Sequence, residues 1–157
     1  MADHSHLEAI EQIKQLKARY FRGVDAKDFA LLRAVFADHA VADYRNATLD
    51  PRSGVDLMKA GTDAPIEGGE TIARWIIEAM KSLLSVHHGH MPEITMTGED
   101  SAEGIWAMED RLYFKEGSRQ RGVAGYGHYY ESYARIAGEW KITAVKLVRL
   151  KVDAIPM

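Results

Sequence analysis

The hydrophobic period of this 157-residue chain changes once, at about Ser85. Before that point apolar residues recur every three or four positions, as on one face of a helix; after it they recur every second position, as on one face of a strand. With its helices first and none left to cross between the later strands, the chain cannot build a βαβ sheet from them. Those strands must pair mostly antiparallel, with the helices collected on one face.

In the helical half, Leu7, Ile10, Ile13, Leu16, Tyr20 and Val24, widened by Phe21, predict a helix from about Ser5 to Gly23. Asp25 and Asp28 flank a second helix start, followed by Phe29, Leu32, Val35 and Phe36 at helical spacing. Val41 to Tyr44 reads as a short strand. Arg45 to Gly69 is punctuated by Pro51, Gly54, Gly61, Pro65 and Gly68, a long excursion of the kind that rims pockets. A third helix is expected from about Glu70 to Leu84, burying Ile72, Trp75, Ile76, Ala79, Met80 and Leu83.

In the strand half, a strand begins at Ser85, and a second spans Ala102 to Phe114 with Trp106, Met108, Asp110 and Leu112 on one parity. Others run from about Arg121 to Arg135 and Trp140 to Val152, and Gly104, Gly122, Gly125 and Gly127 let such a sheet bend or admit a ligand near its backbone. The expectation is one α+β domain over residues 1–157: three N-terminal helices on a curved, mostly antiparallel sheet, shaped as a cone with an apolar inside.

Composition narrows the function. Asp and Glu total 23 against 20 Lys and Arg, with no basic stripe, so nucleic acid is not an expected partner. There is no cysteine, hence no disulfide, thiolate nucleophile or Cys-based zinc site. The N-terminus lacks a signal-peptide pattern, and no apolar run approaches the roughly 20 residues that span a bilayer, so no membrane association is expected and the cytoplasm is the default compartment. No phosphate loop, serine elbow or dinucleotide fingerprint is present, and no cofactor is expected.

The chemistry-bearing residues are few. Asp110 shares a face with large apolar side chains, where a carboxylate must find a partner or take up a proton. Arg149, in parity with Val145 and Leu147, is the obvious partner. Among His87, His88 and His90, strand alternation lets His88 and His90 converge while His87 points the other way, and without a thiolate no metal site is expected. An acid/base role needs one imidazole whose second nitrogen is held by a carboxylate. Asp25 offers that carboxylate, or else caps the next helix with Asp28 in the reciprocal position. Tyr20 lies on the buried stripe, where its hydroxyl needs a partner.

Four blocks, Ile13 to Asp28, HHGHMPEIT from His87, EDRLYF from Glu109 and GEWKITAVKLVRL from Gly138, resemble in order and nearly end to end the SnoaL-like branch of the NTF2-like superfamily. The likeness is to its bile-acid 7α-dehydratases and, more distantly, to scytalone dehydratase. It implies an NTF2-like cone and a cofactor-independent dehydratase acting on a small hydrophobic hydroxy-carbonyl compound of the steroid, polyketide or aromatic kind. An isomerase or cyclase using the same pocket, and a noncatalytic ligand-binding protein, are the alternatives. The resemblance places catalytic roles on Tyr20, Asp25, His87, Asp110 and Arg149, and it implies a homo-oligomer, a trimer. Two departures, the longer segment from Asn46 to Gly69 and His88 in place of a methionine, bear on pocket shape, so a steroid substrate does not carry over.

Overall fold

The computed structural model describes residues 4–156. The elements are α1 (His4–Ala26), α2 (Phe29–Val35), β1 (Phe36–Asp43), β2 (Ile66–Glu67), α3 (Gly69–Met80), β3 (Leu84–Gly98), β4 (Ser101–Tyr113), β5 (Gly122–Ile136) and β6 (Glu139–Ile155). The six strands form one open sheet in the order β2-β1-β6-β5-β4-β3. Strands β3 to β6 are an antiparallel meander, and β2 pairs antiparallel with β1. Only β1 and β6 run parallel, which is permitted because the rest of the sheet, rather than a tight turn, connects them. Register shifts at Gly89/Pro92, Tyr126/Gly127 and Ser132/Tyr133 mark irregularities at which the long strands bend.

The helices lie on one face of the sheet. Ile13, Leu16, Val24, Leu32, Val35, Ile72 and Ile76 pack against Trp106, Met108, Tyr129, Tyr133, Ile142 and Val145. Strand β4 buries Ala102, Gly104, Trp106, Met108, Asp110 and Leu112 in strict alternation, the parity read from the sequence. Among the described residues no helix is long and apolar enough to cross a membrane.

Several boundaries differ from expectation. Helix α1 runs past Gly23 to Ala26, because Gly23 is a contact point between helices: a Cβ there would lie 3.2 Å from that of Leu32. The helix ends at Lys27, whose φ is +54°. Lys27 N–H bonds Val24 O at 3.2 Å and Asp28 N–H bonds Gly23 O at 2.9 Å, the paired closure of a left-handed C-terminus. Asp28 then caps α2 by accepting from Leu31 N–H at 3.0 Å. The capping role weighed for Asp25 is therefore overturned: Asp28 is the cap, and Asp25 is still helical. Leu7, assigned to the apolar stripe, is 59% exposed. Strand β1 starts at Phe36 rather than Val41, its buried positions being mainly alanines, Ala37, Ala40 and Ala42, which carry little strand signal. Helix α3 stops at Met80, and β3 already begins at Leu84.

The excursion between β1 and α3 is tied down by side chains. Asp50 accepts from Ser53 N–H at 2.9 Å, Ser53 Oγ–H at 2.6 Å and Val152 N–H of β6 at 3.2 Å. These donors, Ser53 first, depress the Asp50 carboxyl from its ordinary 3.8 to about 2. A carboxyl with a lowered folded-state pKa contributes stability above its unfolded pKa and loses it as pH falls through the folded value. Asp50→Asn is expected to lower the urea midpoint near neutral pH, with its deficit relative to wild type shrinking as pH falls from about 4 to about 2. A deficit constant across that window would contradict the assignment.

Candidate active site

The exit of α1 meets the entry of β3. Ser85 and His87 alternate inward on β3 and are buried, and Asp25, in the last turn of α1, faces both. The Asp25 carboxylate accepts from Ser85 Oγ–H at 3.0 Å and from the His87 backbone N–H at 2.9 Å, and its Oδ1 lies 2.7 Å from His87 Nδ1. Burial pushes the Asp25 carboxyl up, but the hydrogen bonds and charge of His87, with the Ser85 hydroxyl, outweigh it and hold the group below its ordinary value. An ionised carboxylate can only accept, so Nδ1 carries the proton and the neutral ring presents its lone pair at Nε2.

Asp110 stands opposite His87 in the β3–β4 ladder. Its Oδ2 is 3.8 Å from His87 Nε2, beyond hydrogen-bond length, and accepts from Arg149 Nη2 at 2.7 Å. Arg149 reaches in from β6 and also donates through Nε to Ala47 O of the excursion at 2.7 Å. Gly125 on β5, directly across from Asp110, makes this pairing sterically feasible. A Cβ there would lie 2.5 Å from Asp110 Oδ1 and 2.3 Å from Arg149 Nη1. Asp110 Oδ1 is buried and has no hydrogen-bond partner among the described residues. An orphaned carboxylate oxygen is costly unless something entering the site donates to it.

Three phenols face the same space. Tyr20 Oη is 3.0 Å from Tyr44 Oη, just past β1, and the Tyr20 ring meets Tyr129 of β5 edge-on at 6.0 Å. Burial raises all three well above the ordinary phenol value, so they stay protonated and act as donors rather than bases. Tyr44 stacks on Trp75 of α3 with centroids 5.3 Å apart. Ile76, Met80, Leu112 and Leu147 add apolar wall, and Ala47, Thr48, Met58 and Ala60 of the excursion close one side. The free volume is about 50 Å³, room for a few water molecules.

Of the residues selected from sequence, Tyr20, His87, Asp110 and Arg149 line this one pocket, with Asp25 behind His87 holding its ring. His88 and His90 are exposed, and His88 Nδ1 lies 3.4 Å from Glu109 Oε1. They do not converge with His87 on the pocket. Sequence reasoning did not select Tyr44, Tyr129, Ser85 or Lys27 as site residues. It also missed a buried pair below the tyrosines, Lys17 on Glu131, although Lys17 falls on the apolar stripe of α1, four residues from Ile13 and three from Tyr20.

A family model described as the SnoaL-like domain matches residues 5–146. Among solved structures, a type 2 hexachlorocyclohexane dehydrochlorinase, LinA, is similar with a TM-score of 0.77 at 17% identity, covering 98% of this chain and 93% of that one. A scytalone dehydratase candidate from Novosphingobium aromaticivorans gives 0.77 at 16% identity, covering 100% and 97%. A type 3 LinA from Novosphingobium barchaimii gives 0.75 at 18% identity, covering 98% and 94%. At these identities the likeness is one of fold.

Proposed function

The chain belongs to the SnoaL-like domain family, and on that footing we propose that it is a lyase that removes water from a small hydrophobic hydroxy-carbonyl compound using its own side chains. The observation that carries the reading is the His87 ring, held at Nδ1 by Asp25 and open at Nε2 within an apolar pocket that also contains the Asp110 carboxylate and the Tyr20–Tyr44 hydroxyl pair.

The substrate class follows from those groups. The apolar walls favour a carbon skeleton, the phenols donate to a carbonyl oxygen, and Asp110 Oδ1 accepts from a hydroxyl. His87 Nε2 removes the proton from the carbon between these two functions. The electron pair moves to the carbonyl oxygen, where Tyr20 stabilises the developing enolate. Collapse of the enolate restores the carbonyl, forms the carbon–carbon double bond and breaks the bond to the hydroxyl. The imidazolium returns its proton to that leaving oxygen, so water departs and the enzyme is regenerated. Asp25 and Asp110 face the imidazolium from two sides while it exists, and the 2.7 Å bond from Arg149 Nη2 holds Asp110 in place. A substrate larger than a few waters requires the excursion wall at Met58 and Ala60 to give way on entry.

The same enolate can instead be reprotonated or close a ring, which makes an isomerase or cyclase the nearest alternative. A noncatalytic ligand-binding role is disfavoured by the placement of Tyr20 and His87 on one pocket, with Asp25 bonded to the latter.

Assembly belongs to the same proposal. Val41, Tyr130, Val148 and Leu150, exposed apolar side chains on the adjacent strands β1, β5 and β6, support self-association that covers the sheet, and the family resemblance supplies the number, a homotrimer. Light scattering is expected to give the mass of three chains, and a monomer at working concentration contradicts the assembly.

Mass spectrometry of small hydrophobic β-hydroxy ketones incubated with the protein is expected to show loss of one water, whereas isomerisation or cyclisation without dehydration preserves the mass. His87→Ala is expected to cost ~10² to 10⁴ in rate. Asp25→Asn and Tyr20→Phe should slow the chemical step more than they weaken apolar binding. A folded His87→Ala variant with undiminished turnover would sink the mechanism.

A further inference from the structure

We infer that Lys27 and Ser85 are positioning residues that set the charge and orientation of Asp25, an inference that rests on the reading of His87 and Asp25 as the base and its holder.

Lys27 occupies the left-handed position that closes α1, at φ +54°, where glycine or asparagine is the ordinary occupant. A lysine there is a conformational disadvantage, yet its half-buried side chain makes two hydrogen bonds. Its Nζ donates to the backbone carbonyl of Asp25 at 3.1 Å and to Ser85 Oγ at 2.9 Å. Ser85 Oγ lies in turn 3.0 Å from Asp25 Oδ1, the oxygen that also faces His87 Nδ1.

The polarity of this chain is forced. An ammonium has only donors, so it occupies a lone pair of Ser85 Oγ and leaves the serine hydrogen free to point at Asp25. Two donors, Ser85 and His87, then converge on one carboxylate oxygen, and the second oxygen is held by the His87 backbone N–H. Without the ammonium, the Ser85 hydroxyl is free to turn, and the carboxylate loses both a donor and a nearby positive charge. Asp25 would then retain its own proton more readily and be a poorer counterion for an imidazolium. The charged or titratable groups facing this assembly are Lys27 from the α1 exit, His87 from β3, Asp110 from β4 and Arg149 from β6. The last two act on the far side of the ring.

The test is the titration of the Asp25 carboxyl carbon by NMR in the 157-residue protein, which needs no substrate. Ser85→Ala and Lys27→Gly are each expected to move the Asp25 midpoint upward by about one pH unit. Lys27→Gly suits the left-handed backbone, so the fold is expected to persist, as read from the amide spectrum. Lys27→Arg should hold the midpoint near that of wild type. A Lys27→Gly variant that is folded and leaves Asp25 unmoved overturns the role of Lys27, and the same result for Ser85→Ala overturns that of Ser85. His87→Ala, run alongside, separates the two levels. If it moves Asp25 while the other variants do not, the positioning role alone fails; if it also leaves Asp25 unmoved, the His87–Asp25 pairing fails with it.

Discussion

The Asp25 carboxylate is the fastening on which the rest of the site depends. It is the place where the first helix is bound by side-chain hydrogen bonds to the first long strand, and it is also what gives His87 a defined tautomer. Its half-buried charge is tolerable because three donors converge on it, two from His87 and one from Ser85. Each depends on local structure: the helix must extend beyond Gly23 to carry Asp25 to the sheet, the left-handed turn at Lys27 must end it there, and β3 must enter with Ser85 and His87 on its inner parity. A helix ending at Gly23 would leave the imidazole without its holder.

Beneath the pocket lies a second buried polar system with a different task. Lys17 and Glu131 are ion-paired with both side chains inaccessible to solvent, and Glu131 also accepts from Tyr133 Oη–H, which in turn accepts from Trp106 Nε1–H at 2.8 Å. The ammonium lies 4.1 Å from the centroid of Tyr20 and 3.8 Å from that of Tyr129. Burial lowers the Lys17 pKa, and Glu131 opposes that shift. Such pairs seldom add net stability over an apolar replacement, yet removing one partner strands a buried charge. Here the pair underpins the two tyrosine rings whose other ends face the pocket.

Much of the architecture was legible because period is legible. The β4 alternation put Asp110 inside, and the parity of β6 put Arg149 with it, so their ion pair was foreseeable without coordinates. The family resemblance, and not the spacing, selected His87 over its neighbours, since alternation alone says that one parity is inward without saying which. What stayed hidden depended on contacts between distant segments. DAKD fits a helix cap equally well in two registers, and only the packing of Gly23 on Leu32 shows that Asp28 takes the cap and frees Asp25. Ser85 and Lys27 are ordinary residues until β3 is laid against the helix exit. Lys17 is a different case: a lysine on the apolar stripe of α1, and a glutamate on the parity of Tyr129 and Tyr133 in β5, are anomalies that the sequence carries and that went unread.

Asp25 holds the His87 proton on Nδ1 and leaves Nε2 free toward the pocket. Long-range proton–nitrogen NMR of the His87 ring in its neutral form tests this most directly. The Nδ1–H tautomer is expected in the wild type, and its loss in Asp25→Asn. A neutral ring protonated at Nε2 in the wild type would contradict it.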